Sequence, residues 1–170
     1  MKNKNNEYEY LNSDIYFLDN KQIKILKDKA KNNESGKYRI CMHKSENDDI
    51  HEMIIVHMSK TYIRPHKHLT NFESLQFIDG SGTVVFFDNE GNIKNSFLAG
   101  SKNLKSIIYY KIPEDLYHML IVNSKYLVFK ETTKGPFIRS NTVFPKWAPD
   151  GRNNIENEKF ISEIRNKLKK

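Results

Sequence analysis

From Tyr38 to Glu131 the chain runs as short stretches rich in Ile, Val, Phe and Tyr, broken by turn residues at intervals of roughly 8 to 12. This rhythm constrains the fold more than any other feature. Branched and aromatic side chains suit a pleated, half-buried surface, and gaps this short leave no room for the helices that join parallel strands. The reading is an all-β domain, a sandwich or barrel. Strands are expected over 38–42, 52–58, 61–68, 73–78, 83–87, 93–98, 106–112, 117–122 and 126–131. Asp79-Gly80-Ser81-Gly82 and Asp88-Asn89-Glu90-Gly91 carry the glycines that tight turns need for positive φ, so both are expected to be hairpins.

Two helices flank this region. Asp19 with Gln22 three positions on makes a capping box, followed by Ile23, Leu26 and Ala30 at helical spacing. Phe160, Ile161, Ile164 and Leu168, with Glu156 and Glu158 near the start and lysines at the end, predict a final helix from about Ile155. Between barrel and helix, Gly135-Pro136 marks the exit from the barrel, and Pro145-Lys146-Trp147-Ala148-Pro149 is too proline-broken for a helix or a central strand. Trp147 is therefore expected to pack an extended segment back onto the barrel. The chain thus divides into a polar tail over 1–13, one domain over 14–150 that includes the first helix, and an amphipathic helix over 151–170. At 170 residues and 20.1 kDa, one core accounts for the length.

Composition narrows the partners. The formal charge of +7 comes from lysines scattered along the chain, and no basic stripe is interleaved with aromatics, so a nucleic-acid role is disfavoured. The first ten residues do not resemble a signal peptide, and no stretch approaches the roughly 18 apolar residues of a membrane span. The single cysteine, Cys41, excludes an internal disulfide and is read as a small core residue. A soluble, cytoplasmic protein without membrane association is the expectation.

Chemistry concentrates in His66-x-His68-x4-Glu73-x6-Gly80 and in Pro113-x4-His118. Alternate strand residues share a face, so His66 and His68 project together while Lys67 points elsewhere. A short loop delivers Glu73 at the head of the next strand, and a closed barrel brings His118 from a distant one. Three imidazoles and a carboxylate suit one divalent transition ion per chain: Zn, Fe, Mn, Ni or Co. Tyr62 and Arg64 share the face of the two histidines if the strand is regular, although Pro65 marks an edge or bulge. Tyr62 and His43 are the candidate catalytic proton carriers. Arg64, suited to bidentate contact with phosphate or carboxylate, His51, Gln76, Tyr117 and Glu131 are the candidate substrate-binding residues. His57, alternating with Ile55 and Met53, is read as a partly buried strand residue.

These motifs resemble the first and second motifs of the cupin superfamily. That resemblance implies a single cupin barrel, the double-stranded β-helix or jelly roll, with a metal on His66, His68, Glu73 and His118. Lys60 and Asp115 stand where the motifs have glycine, and Asn123 lies one place late. Over 14–149 the chain is also similar to WbuC-type cupin-fold metalloproteins, through Met42-His43, His51-Glu52-Met53, Tyr62-Ile63-Arg64-Pro65-His66-Lys67-His68, Glu73-Ser74, Phe87-Asp88-x2-Gly91, Lys134-Gly135-Pro136-Phe137 and Trp147-Ala148-Pro149. The likeness implies sugar metabolism for bacterial surface polysaccharide, lipopolysaccharide O-antigen or capsule, with a sugar or nucleotide sugar as ligand. It also implies a homodimer. Isomerase or epimerase chemistry is the leading expectation, beside an Fe(II) dioxygenase and a non-catalytic, metal-dependent sugar-binding or accessory module.

Overall fold

The computed structural model describes residues 7–13, 15–101 and 105–169, so the first six residues of the expected tail, residue 14 at the domain boundary and terminal Lys170 lie outside the described residues. Part of that tail is a strand. β1 (Tyr8–Tyr10) pairs in parallel with β2 (Lys37–Cys41). Between them runs α1 (Asn20–Asn32), whose first turn is capped by the Asp19 carboxylate accepting from the Gln22 backbone N–H at 2.8 Å. Leu26 and Ala30, four apart and so on one helix face, bury against Tyr38, Ile40, Ile54, Val56 and Val128.

The main sheet continues through β3 (Ile50–Met58), β5 (Glu73–Phe87), β6 (Ile93–Gly100), β7 (Tyr109–Ile112) and β8 (Tyr117–Lys134). Its order is β1-β2-β3-β8-β5-β6, with β7 also on β5. β4 (Lys67–His68) and β9 (Thr142–Val143) form a separate pair. Only Lys67–His68 of the expected strand over 61–68 joins a ladder, since Pro65 has no N–H to give. Among the described residues the ladder does not close into a ring. Ile63 and His66 of that segment line one cavity together with Met53 and Ile55 instead.

β5 and β8 are long, at 15 and 18 residues, where shorter strands with breaks near 79–82 and 123–125 were expected. The glycines of 79–82 serve a bulge. Gly80 takes φ 87°, the β5–β8 register shifts on both sides of it, and the Ser124 hydroxyl accepts the Ser81 N–H at 2.8 Å. The bulge lets one strand serve two partners: its first half pairs with β7 and its second with β6. The expected turn after Phe87 is present, held by Asp88 accepting from the backbone of Glu90 and Asn92.

Strand alternation then sorts the core into faces. Cys41, Met53, Ile55, Leu75, Phe77, Leu120 and Phe129 point inward. Val85, Phe87, Tyr117, Met119 and Ile121 point outward, under α2 (Asn154–Lys167). Trp147 joins them as expected: its indole N–H donates to the Asn89 carbonyl at 3.0 Å, and its ring lies 5.1 Å from Phe87 and 6.3 Å from Phe160. Truncation to alanine is expected to cost roughly 2 kcal/mol, below the range for fully buried tryptophans because the ring is half-buried. Urea unfolding of Trp147→Ala tests this; an unchanged midpoint would remove the indole from the account of how α2 is held. Among the described residues no helix is long and apolar enough to cross a membrane.

Candidate metal centre

His66 and His118 are directly opposed and exchange both backbone hydrogen bonds, at 3.0 and 2.9 Å. This bridge, and no closed ring of strands, brings the fourth ligand candidate to the other three. Donor atoms of His66, His68, Glu73 and His118 all lie within 4.8 Å of one another. Asp115 sets the approach of β8: it occupies the left-handed region at φ 60°, donates its N–H to the His68 carbonyl at 2.8 Å and pairs with Lys67 at 2.6 Å. A glycine would satisfy the backbone conditions but could not pair with Lys67.

The tautomers follow from the partners. His66 Nδ1 lies 2.9 Å from the Arg64 carbonyl and His118 Nδ1 2.9 Å from the Leu116 carbonyl. A carbonyl only accepts, so each Nδ1 carries the proton and each neutral ring leaves a lone pair on Nε2. His68 Nδ1 meets the Thr142 hydroxyl at 3.3 Å, while its Nε2 is 3.1 Å from Glu73 Oε2. His118 Nε2 is buried without a hydrogen-bond partner, 3.6 Å from the same carboxylate oxygen. A buried, orphaned lone pair facing a carboxylate fits a cation better than any protein group present. The donor set suits a divalent transition ion without selecting which one.

The charges are coupled. Burial pushes the Glu73 carboxyl up, but His118 and His68 outweigh it and hold the group well below the usual carboxylate range. Burial pulls His118 down, yet Glu73 more than offsets this and the net shift is upward; burial and neighbouring His118 drive His66 down to about 3. Without metal, the His118 imidazolium paired with Glu73 contributes stability that is fully present below the ordinary histidine value of 6.5 and is lost as pH rises through the raised folded value. An ion must displace that proton. Metal affinity is therefore expected to climb with pH through the raised His118 value and level off above it, as read by chelator competition between about pH 5.5 and about pH 9. A flat profile would contradict the pairing.

The cluster forms one wall of a cavity of about 370 Å³. Strand register orders the adjoining sheet face, which includes Glu73, into rows. His51, Thr133 and Glu73 lie in register on β3, β8 and β5, and the next row holds Met53, Glu131, Leu75 and Tyr110. His43 and His51 line the cavity as stacked rings 4.1 Å apart, with His43 Nδ1 donating to the Glu52 carbonyl at 3.2 Å. Burial, then His51, lowers the His43 pKa. Glu131 lines the cavity too, where burial and the Glu73 charge raise its carboxyl to about 8.

Four other candidates lie off the cavity wall. The Tyr62 hydroxyl donates to the Pro149 carbonyl at 3.0 Å, and Arg64 donates to the Pro145 carbonyl at 3.1 Å with its guanidinium over Phe144. Both pin the proline-rich segment, because the chain before Pro65 does not keep strand alternation. Gln76 and Tyr117 sit at odd offsets from Glu73 and His118, so they face outward, Gln76 to solvent and Tyr117 to Trp147. Tyr110 and His57, neither proposed from sequence as site residues, line the cavity. Parity within β3, where His57 follows Met53 and Ile55, was the available signal for His57. Tyr110 needed the β5–β7 register.

Fold and cluster together define a cupin-type jelly roll whose candidate metal centre consists of three histidines and one glutamate. In sequence, residues 18–99 match the family described as Domain of unknown function (DUF6016). No curated protein matches the chain. Among solved structures, it is similar to protein SO0799 from Shewanella oneidensis, with TM-score 0.54 and 10% identity over 65% of this chain and 74% of that one. It is also similar to the capsular polysaccharide assembling protein CapF from Staphylococcus aureus, with TM-score 0.52 and 15% identity over 64% of this chain and 31% of that one. The chain thus spans under a third of CapF's length.

Proposed function

We propose that this protein is a metal-dependent enzyme acting on a free or nucleotide-linked sugar in the making of bacterial surface polysaccharide, through isomerisation, epimerisation or a related proton shift. The observation that carries the reading is the convergence of imidazole Nε2 atoms and the Glu73 carboxylate on one wall of a partly open, mixed polar and apolar cavity. His66, His68, Glu73 and His118 would hold the ion, which when bound supplies a Lewis acid for a substrate carbonyl or hydroxyl. At about 370 Å³ the cavity is near the lower end for small-molecule sites. It suits a monosaccharide-sized group, leaving any nucleotide to project from the mouth. The fold shared with a capsular polysaccharide assembling protein supports the sugar assignment.

The test is incubation of metal-reconstituted protein with a panel of free and nucleotide-linked sugars, followed by NMR. Conversion by wild type and none by a His66→Ala, His118→Ala variant supports the reading. Tight binding without conversion makes the protein a sugar-binding module, and strict iron dependence with oxygen uptake makes it a dioxygenase.

A further inference from the structure

We propose that Glu131 and Tyr110 are the proton-transfer pair of this cavity, the carboxylate serving a carbon-bound proton and the phenol the oxygen beside it. The inference rests on the metal-centre reading and adds the residues that would do the chemistry. Glu131 on β8 and Tyr110 on β7 stand in register with Leu75 of the intervening β5, and both line the cavity. Two strand spacings put their backbones roughly 10 Å apart, room for the reacting part of a small ligand between the two side chains. Glu73 lies on the same face one pleat repeat along β5, about 7 Å from Leu75. A ligand held at the cluster therefore extends over this row.

Several of the other polar groups lining the cavity are already engaged or closed off, while Arg39 lies near enough to act on Glu131 and His57 Nδ1 is buried without a partner. His43 Nδ1 donates to Glu52, Thr133 donates to the Phe72 carbonyl at 2.9 Å, and His51 Nε2 is fully buried against Gly135. Glu131 and Tyr110 are half-buried, the Tyr110 ring packs on Phe77, Phe86 and Phe97, and among the described residues neither side chain makes a hydrogen bond. Two unpartnered groups of complementary type, facing one space beside a ligand-holding cluster, are what a reversible proton shift needs. The Glu131 carboxylate takes the proton from the carbon next to a carbonyl, and the C–H electron pair becomes the new C=C bond. The carbonyl π pair moves to its oxygen, which receives the Tyr110 proton. Glu131 then returns its proton to the neighbouring carbon while the Tyr110 phenolate takes the proton of the hydroxyl there, which gives the isomer with both residues restored and no oxidant or reductant consumed.

The experiment uses the full chain reconstituted with zinc, in wild-type, Glu131→Gln and Tyr110→Phe forms. Zinc content and circular dichroism should be the same in all three. Acetohydroxamate, a planar zinc chelator that mimics an enediol, should bind each variant about tenfold more weakly by calorimetry, the worth of one hydrogen bond to a charged group. In deuterated buffer, wild type should exchange a carbon-bound hydrogen of at least one sugar in the panel, and Glu131→Gln should slow that exchange about a hundredfold or more. Unchanged acetohydroxamate affinity in both variants, exchange by Glu131→Gln at the wild-type rate, or no exchange by wild type overturns the pair while leaving the metal centre intact. A wild-type protein that holds no zinc overturns the metal reading, and the pair with it.

Discussion

Purified wild-type protein is expected to carry close to one transition-metal ion per chain by elemental analysis, and the His66→Ala, His118→Ala variant essentially none. Each deletion removes one of three Nε2 donors, and the bridge between the two strands puts both at the same point of the cavity. The metal-free variant also loses the imidazole that partners the buried Glu73 carboxylate, which His118 and His68 hold ionised. Removing one member of a buried, interacting charged pair costs about 3–5 kcal/mol, and part of this should be recovered by also making Glu73→Gln. Equal metal in both proteins would sink the site. Equal stability of the double and triple variants would mean that Glu73 draws its support from elsewhere.

The second large effect is expected at Gly80. Its φ of 87° is one that residues with a Cβ rarely adopt, and a Cβ built there would sit 2.1 Å from the Tyr126 carbonyl oxygen and 2.8 Å from the Ser124 hydroxyl. The first obstacle is backbone in the middle of the β5–β8 ladder, so relief requires moving a strand. Gly80→Ala should destabilise the protein by about 4 kcal/mol, from left-handed strain plus the overlap. Chemical denaturation checks this, and a loss under about 1 kcal/mol would show that the bulge is free to relax. The effect should reach the metal as well, since the same strand begins at Glu73 and the bulge fixes how its first half lies against β8.

Much of this architecture was legible in the sequence, and the parts that were not have identifiable causes. Capping by Asp19, the turn at Asp88, the docking of Trp147 and the grouping of four metal-type side chains all rest on local chemistry or fixed intervals, which survive folding unchanged. The turn expected at Gly80 failed because positive φ serves a bulge as well as a hairpin, and only the partner strand decides between them. Tyr62 and Arg64 left the expected face because Pro65 ends the ladder, so alternation stops counting there. Gln76 and Tyr117 were open to exclusion, since an odd offset from a ligand on the same strand points away from it. Tyr110 was beyond reach, because its place opposite Leu75 is a fact of register between strands more than thirty residues apart.

The backbone bridge between His66 and His118 has a further consequence. There, among the described residues, the segment ahead of β4 pairs with the start of β8, next to the Asp115 N–H that donates to the His68 carbonyl and the Lys67–Asp115 ion pair. Each of those two residues would also offer an imidazole to an ion held at the cluster, so binding would add a second tie across the same seam. An ion bound there would tie the two segments together more tightly, while the hydrophobic layers under both helices contain none of the four residues. Loss of such an ion is expected to act first on this seam and last on the two helix-covered layers.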